Sequence, residues 1–230
     1  MDTGTTTAAA TAFDALLAER HSVRGFRTEL VPDADIEHVL ATSQRTASWC
    51  NTQPWQVHLI SGAAAYAFAE EFRAHATTHP STPDFGQPAS YDGVYGDRRR
   101  QAGYALYGAL GIAREDKMAR AVQGALNFSF FGAPHAAFIS TDAHLGVYGA
   151  IDCGAYIANF MNSAQSLGIA TVAQAALAFH PDFVREKFGL GPDRLIVAGI
   201  SFGYRDDEHP SNSFRVPREE SMESIVQHIR

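Results

Sequence analysis

Cysteine is nearly absent from this chain of 230 residues. Cys50 and Cys153 are its two thiols, far apart, and neither belongs to a Cys-x-x-Cys pair. That excludes a disulfide framework and fits a reducing compartment, so a cytoplasmic location is expected. Positive charge is also short. The formal net charge is -7, whereas nucleic-acid binding needs a basic face against the phosphates. No uninterrupted apolar run approaches ~18 residues, so no membrane partner is expected. The opening MDTGTTTAAATAF has neither the basic start nor the apolar run of a signal peptide. No Gly-x-Gly-x-x-Gly follows a strand, and no Gly-Lys-Ser/Thr phosphate loop exists, so neither standard nucleotide cradle is built in. Internal repeats and an obvious linker are missing too.

What is there suits a packed fold. Hydrophobic residues make up 46% and charged residues 19%, a balance of globular domains. Residues 1–12 read as a flexible tail and 13–230 as one domain. Periodicity predicts helices over 13–20, after Pro32, over 63–75, over most of 98–127 with a break near Gly111, over 149–167 and over 181–188. Strands are predicted at 57–60, 136–140 and 195–200. The stretch PSTPDFGQPASYDGVYG, residues 80–96, reads as a long loop or lid. The helix over 149–167 is apolar on most sides, which suits a central or subunit-interface position. Strands among more abundant helices give an α+β fold.

Several motifs invite chemistry. GISFG, Gly199 to Gly203, fits Gly-x-Ser-x-Gly after a strand, which would make Ser201 a hydrolase nucleophile. The YRDDEHPSNS that follows breaks helices, and Asp206 and His209 come too soon for a triad, so a core strand flanked by glycines is the competing reading. His75 and His79 have metal-ligand spacing but no third ligand, and so read as a solvated helix end. Arg98, Arg99 and Arg100 read as a solvated face or the border of an anionic cofactor's site.

ERHSVRGF puts Arg20, Ser22 and Arg24 at alternate positions. In an extended segment these project to one face, forming a phosphate clamp of two guanidiniums and a hydroxyl. A helix end with solvated arginines fits the same residues. Finally, TASWCNTQPWQVHLIS crowds Trp49, Cys50, Asn51, Gln53 and Trp55 before a strand. The question is why.

Together these stretches resemble the FMN-dependent nitroreductase family, in its nitrobenzoate-reductase-like branch. The resemblance is carried by Arg20-His21-Ser22-Val23-Arg24, by Ala47 to Trp55, by the helix end from Asn159 to Gly168 running into IATVAQAAL, and by LIVAGISFGYRDDEHPSNSFR. It implies an α+β fold with a mostly antiparallel central sheet flanked by helices, in an intertwined homodimer with two FMN sites. It implies that Arg20, His21, Ser22 and Arg24 hold the phosphate and ribityl end and that Arg215 closes on the same phosphate. Ser48, Trp49, Cys50 and Asn51 would come from the partner subunit, with Gln53 nearby. Gln174, Ala175 and Ala176 would lie along the isoalloxazine, with a backbone N–H facing flavin N5.

The implied activity is NAD(P)H-dependent reduction of a small aromatic acceptor, nitroaromatic or quinone-type, by ping-pong hydride transfer through flavin N5. No side chain is expected as catalytic acid or base, and no metal. Two residues depart from the family pattern: Trp49, where many members have a small polar residue, and Ala175, where an acidic residue is common. Other flavin reactions on this fold (dehydrogenation, reductive dehalogenation, flavin fragmentation), a flavin binder without turnover, and a Ser201 hydrolase are the alternatives.

Overall fold

The computed structural model describes residues 7–229. Four strands form a single sheet: β1 (Gln56–Ser61), β2 (His135–Asp142), β3 (Ala170–Gln174) and β4 (Arg194–Gly203), in the order β1-β2-β4-β3. Every neighbouring pair is antiparallel. Side chains alternate across a pleated strand, and β2 shows the result. Ala137 and Ile139 enter one core with Trp55, Tyr156, Phe160, Ile200 and Phe202. Ala136 and Phe138 enter the other, an aromatic cluster with Phe68, Phe72, Phe130 and Phe183. Burial on both faces makes β2 and β4 read as continuous apolar runs.

Seven helices surround the sheet: α1 (Ala8–Glu19), α2 (Asp33–Ser43), α3 (Ala63–Thr78), α4 (Gly93–Ala109), α5 (Lys117–Ala125), α6 (Gly146–Ser166) and α7 (Pro181–Phe188). The central helix, α6, buries Gly149, Cys153, Tyr156, Ile157, Phe160 and Ala164 along one stripe. Gly149 lets it approach the end of β2, where a Cβ would sit 2.5 Å from Thr141 Oγ1. The last α-helix, α7, has Pro181 in its first turn and ends at Gly189, which is left-handed at φ 64°, the geometry of a proline start and a glycine stop.

Three expectations need correction. The first helix begins at Ala8 rather than Phe13, because the Thr7 hydroxyl caps it by accepting from the Ala10 N–H at 3.2 Å, ahead of an alanine run that favours helix. Residues 8–12 of the expected tail are therefore helical, and residues 1–6 lie outside the described residues. The expected loop of residues 80–96 ends at Asp92. Its glycines start α4 instead: Gly93 turns at φ 53°, and Gly96 sits so close under the Tyr91 carbonyl that a Cβ would be 2.4 Å from it. Strand β3 was not expected at all.

The tempting glycines of β4 have a packing explanation. A Cβ at Gly199 would lie 2.4 Å from Leu177, and one at Gly203 would lie 2.8 Å from Pro134. Ser201 between them is fully buried and donates to Gln174 Oε1. No substrate carbonyl can reach it there, so the hydrolase alternative falls.

Candidate flavin-phosphate site

Leaving α1, the chain runs extended alongside β3. Ser22 bridges Thr171, and the Val23 N–H donates to the Thr171 carbonyl at 3.1 Å. Farther on, Phe26 bridges Arg205, and the Arg27 N–H donates to the Tyr204 carbonyl. Val23 points inward and is 2% exposed. Arg20, Ser22 and Arg24 therefore share the opposite face, as their spacing predicts.

The chain's other end closes this face. Asn212 accepts from the Arg24 N–H at 2.8 Å and donates to the carbonyls of Gly25 and Asp206. Gly25 is required here, since a Cβ would strike the His209 ring at 2.3 Å. The result is a cavity of about 280 Å³ whose polar lining is Arg20, His21, Ser22, Arg24, Arg215 and Arg218. Arg218 escaped the sequence reading, although its place three residues after Arg215 was a usable signal. So did Phe131, whose ring lies 5.9 Å from the Arg24 guanidinium carbon.

The cavity is electrostatically one-sided. No carboxylate lines it. Glu19 lies outside the lining, 3.2 Å from Arg205 and 3.8 Å from Arg215. Burial pulls the Arg24 guanidinium below its usual pKa range, and burial followed by the charge of Arg218 does the same to Arg20. His21 Nδ1 donates to the Glu19 carbonyl at 3.0 Å, while Nε2 is buried without a partner. Burial first, then Arg215 and Arg205, holds the imidazole below its ordinary pKa despite the Glu19 carbonyl and carboxylate. Such a site stabilises an anion: a phosphate would neutralise the converging cations and engage the orphaned nitrogen.

A second group of expected residues sits elsewhere. Ser48 to Gln53 form a tight loop around the single helical turn Trp49–Asn51. Cys50, Asn51 and Gln53 all have positive φ, at 51°, 56° and 47°. Non-glycine residues in that region carry strain that surrounding contacts must hold. Those contacts are present. The Gln53 N–H donates to Ser48 Oγ at 2.9 Å, Gln44 Nε2 to Gln53 Oε1 at 2.8 Å, and Trp55 Nε1 to Gln44 Oε1 at 2.9 Å. The loop's base is tied to α6 by Asn159, which donates to Thr46 Oγ1 at 2.7 Å.

The two tryptophans differ. Trp55 is a core residue stacked on Tyr156. Trp49 is 54% exposed, its ring set edge-on to Tyr148. The shallow hollow bordered by Trp49, Cys50, His144, Tyr148 and Asp152 shares no residue with the arginine cavity. Within one chain, the loop and the clamp do not meet.

The third group ends β3. The Gln174 side chain turns inward, donating to the Asn127 carbonyl at 3.1 Å and accepting from Ser201. Ala173 and Ala175 are exposed and Ala176 is half-buried, leaving a small-residue surface. The histidines stay apart from this chemistry. His75 stacks on His79 at the end of α3, and no group of three metal-ligating side chains occurs among the described residues. Among them, too, no helix is long and apolar enough to cross a membrane.

Residues 17–204 match the nitroreductase family. The chain belongs to that family. Nitroreductase NfnB of Mycolicibacterium smegmatis is 36% identical over 219 residues, covering 95% of this chain and 93% of that protein. A 4-nitrobenzoate reductase of a Nocardioides species is 36% identical over 214 residues, covering 90% and 86%. The solved structure of FMN-dependent NfnB from Mycobacterium smegmatis, in complex with NADPH, superposes with a TM-score of 0.91 at 34% identity, covering 96% of this chain and all of that one. An FMN- and NADPH-dependent NfnB from a Sphigopyxis strain gives 0.90 at 30% identity, covering 95% and 99%. The nitroreductase chain thus has the expected α+β fold with its antiparallel sheet.

Proposed function

We propose that this nitroreductase-family chain is an NAD(P)H-dependent FMN oxidoreductase that reduces nitroaromatic or quinone-type acceptors, and that it works as a cytoplasmic homodimer. The carrying observation is the arginine-lined cavity with no acid in its lining. Its donor set fits a flavin phosphate, because Arg20, Arg24 and Arg215 offer planar forks, Ser22 a hydroxyl and His21 an unpartnered nitrogen that donates once the ring is protonated. When bound, FMN would supply the hydride chemistry, taking a hydride from the nicotinamide and handing it to the acceptor.

The chain's own contribution is binding, orientation and exclusion of water. Gln174 is locked by Asn127 and Ser201, so it fixes the backbone of Ala175 and Ala176 as a rigid floor for a planar ring. Alanine at 175 leaves that floor without a charge. Ser48, Trp49, Cys50, Asn51 and Gln53 of a second copy would form the facing wall. That reading is supported by the loop's separation from its own clamp and by the apolar surface around it. Val147 and Ile151 of α6 are 64% and 58% exposed beside Tyr148, and α1 buries none of its residues although it carries Phe13 and Leu17. Trp49 would narrow the entrance and offer an aromatic edge to an aromatic acceptor. The remaining cysteine, Cys153, is inert, its thiol pushed up to about 12 by burial.

The test is the visible spectrum of the purified protein under anaerobic conditions, before and after NADPH or NADH. Flavin bands that bleach with the donor and return with a nitroaromatic or quinone are expected. A protein that stays colourless after incubation with FMN would overturn the assignment.

A further inference from the structure

The run Arg98-Arg99-Arg100 on α4 has one member that reaches toward the clamp. Arg99 lies over the Tyr91 ring at 5.1 Å, and Arg100 pairs with Asp97 on its own helix. Arg98 instead pairs with Glu219 in the C-terminal segment, Nη2 to Oε2 at 2.8 Å. Glu219 follows Arg218, which lines the clamp cavity and also borders the shallow groove where Arg98 and Glu219 meet. The other oxygen of the Glu219 carboxylate accepts from the Ser221 N–H at 3.1 Å, so one side chain both joins α4 and shapes the turn after it.

This pair matters because the segment carrying the clamp's closing arginines has little backbone order. Between Phe214 and Glu220, among the described residues, no backbone group joins a backbone hydrogen bond. The arginines fold back on their own segment: Arg215 Nη1 donates to the Asn212 and Phe214 carbonyls, and Arg218 Nη1 to the Val216 carbonyl at 2.9 Å. Repulsion opposes the placement, since the charge of Arg218 is felt at Arg20. Four guanidiniums carry more charge than one phosphate dianion cancels, so part of that repulsion persists in a complex and the chain must hold them in place. Two ion pairs tie the segment to helices: Arg215 with Glu19 of α1 at 3.8 Å, and Glu219 with Arg98 of α4 at 2.8 Å. The second is the shorter, and it is the one next to Arg218.

We propose that Glu219 and Arg98 are positioning residues for the flavin phosphate: their ion pair holds Arg218 at the clamp and makes FMN retention depend on α4. The inference rests on the flavin reading above. Neither residue lines the cavity, and both act through Arg218. An ion pair whose side chains are 44% and 34% exposed adds little to folding stability. Its effect is instead on where one cation stands. The tether works in both directions, because α4 spans 17 residues yet buries only Gly96.

The experiment is a double-variant cycle on the full-length protein. Fluorescence titration measures FMN and riboflavin affinity for the wild type, Glu219→Gln, Arg98→Gln, Arg218→Gln and the two doubles that add Arg218→Gln. The first two variants change net charge in opposite directions, yet both break the same pair. Each is expected to weaken FMN about two- to fivefold. Arg218→Gln is expected to weaken it about tenfold or more, and in that background the other two changes should have no further effect. Riboflavin, which lacks the phosphate, should bind all six proteins alike. Tighter FMN binding in Glu219→Gln with weaker binding in Arg98→Gln would show a bare field effect and overturn the proposal. So would additive losses in the doubles, an equal loss for riboflavin, or an Arg218→Gln variant that holds FMN like the wild type. Failure of the flavin reading looks different: the wild type binds neither flavin. Calorimetry with inorganic phosphate on the same six proteins then reads the pair, and phosphate binding that is absent or equal throughout overturns it as well.

Discussion

The arginine cavity and the Ser48–Gln53 loop are both built from short polar stretches, but they are finished to different degrees. The cavity needs only its own chain. Residues 20–24 are stitched to β3, and Asn212 locks them to the far end of the sequence. Its charges converge before any ligand arrives, as a preorganised anion site requires. The loop is shaped but not yet placed. Its backbone is held in an uncommon conformation by Gln44, Gln53 and Trp55, yet Trp49, Cys50 and Asn51 face outward. Folding of one chain suffices for the first region, whereas association would complete the second.

The largest effect should come from emptying the clamp. Arg20→Ala with Arg24→Ala removes two charge-assisted contacts of about 1.5–3 kcal/mol each. FMN affinity should fall by a factor of about 10² to 10⁴ in a fluorescence titration. A double variant that holds FMN as tightly as the wild type would dissolve the contrast drawn above.

Gly25→Ala tests the stitching rather than the charges. The new Cβ must displace the His209 ring, and with it the Asn212 contact to Arg24. A cost of about 1–3 kcal/mol is expected, and a melting point lower by several degrees. An unchanged melting point would mean that the clamp tolerates movement.

A smaller effect should appear in pH dependence. In the free protein His21 is held below its ordinary pKa, by burial first. A phosphate dianion beside Nε2 favours the imidazolium, so the complex binds more protons than the free protein. FMN affinity should therefore rise as pH falls from about 8 to about 6, where the phosphate itself begins to take up a proton. The His21→Gln variant should flatten this slope, and an undiminished slope would clear His21 of any part in it.

Cys50→Gly should have the smallest effect. Glycine relieves the strain of a positive φ but adds freedom to the unfolded chain, so the two terms nearly offset. A stability change within about 1 kcal/mol is expected by chemical denaturation, and a loss well beyond that would show that the Cys50 side chain holds the loop.

The sequence was most legible where one physical rule acts locally. Alternation alone brought Arg20, Ser22 and Arg24 onto one face, and Pro181 marked the start of the last α-helix. Strand β3 was hidden because Ala170 to Gln174 combines small residues with a glutamine whose amide is satisfied only by Asn127 and Ser201, distant in sequence. Likewise, Gly199 and Gly203 imitate a nucleophile elbow, and only the contacts with Leu177 and Pro134 reveal their packing role. Phe131 reaches the clamp through long-range closure that no local pattern encodes, whereas Arg218 was legible from its place three residues after Arg215.

The clamp joins residues that lie about 195 positions apart, from Arg20 to Arg215. At a synthesis rate of roughly 5–20 residues per second, some 10 to 40 s separate the appearance of its two halves. A ribosome-bound chain thus carries half of an anion site until translation has passed Arg218. On the proposed reading, FMN loading would follow completion of the chain rather than accompany its synthesis.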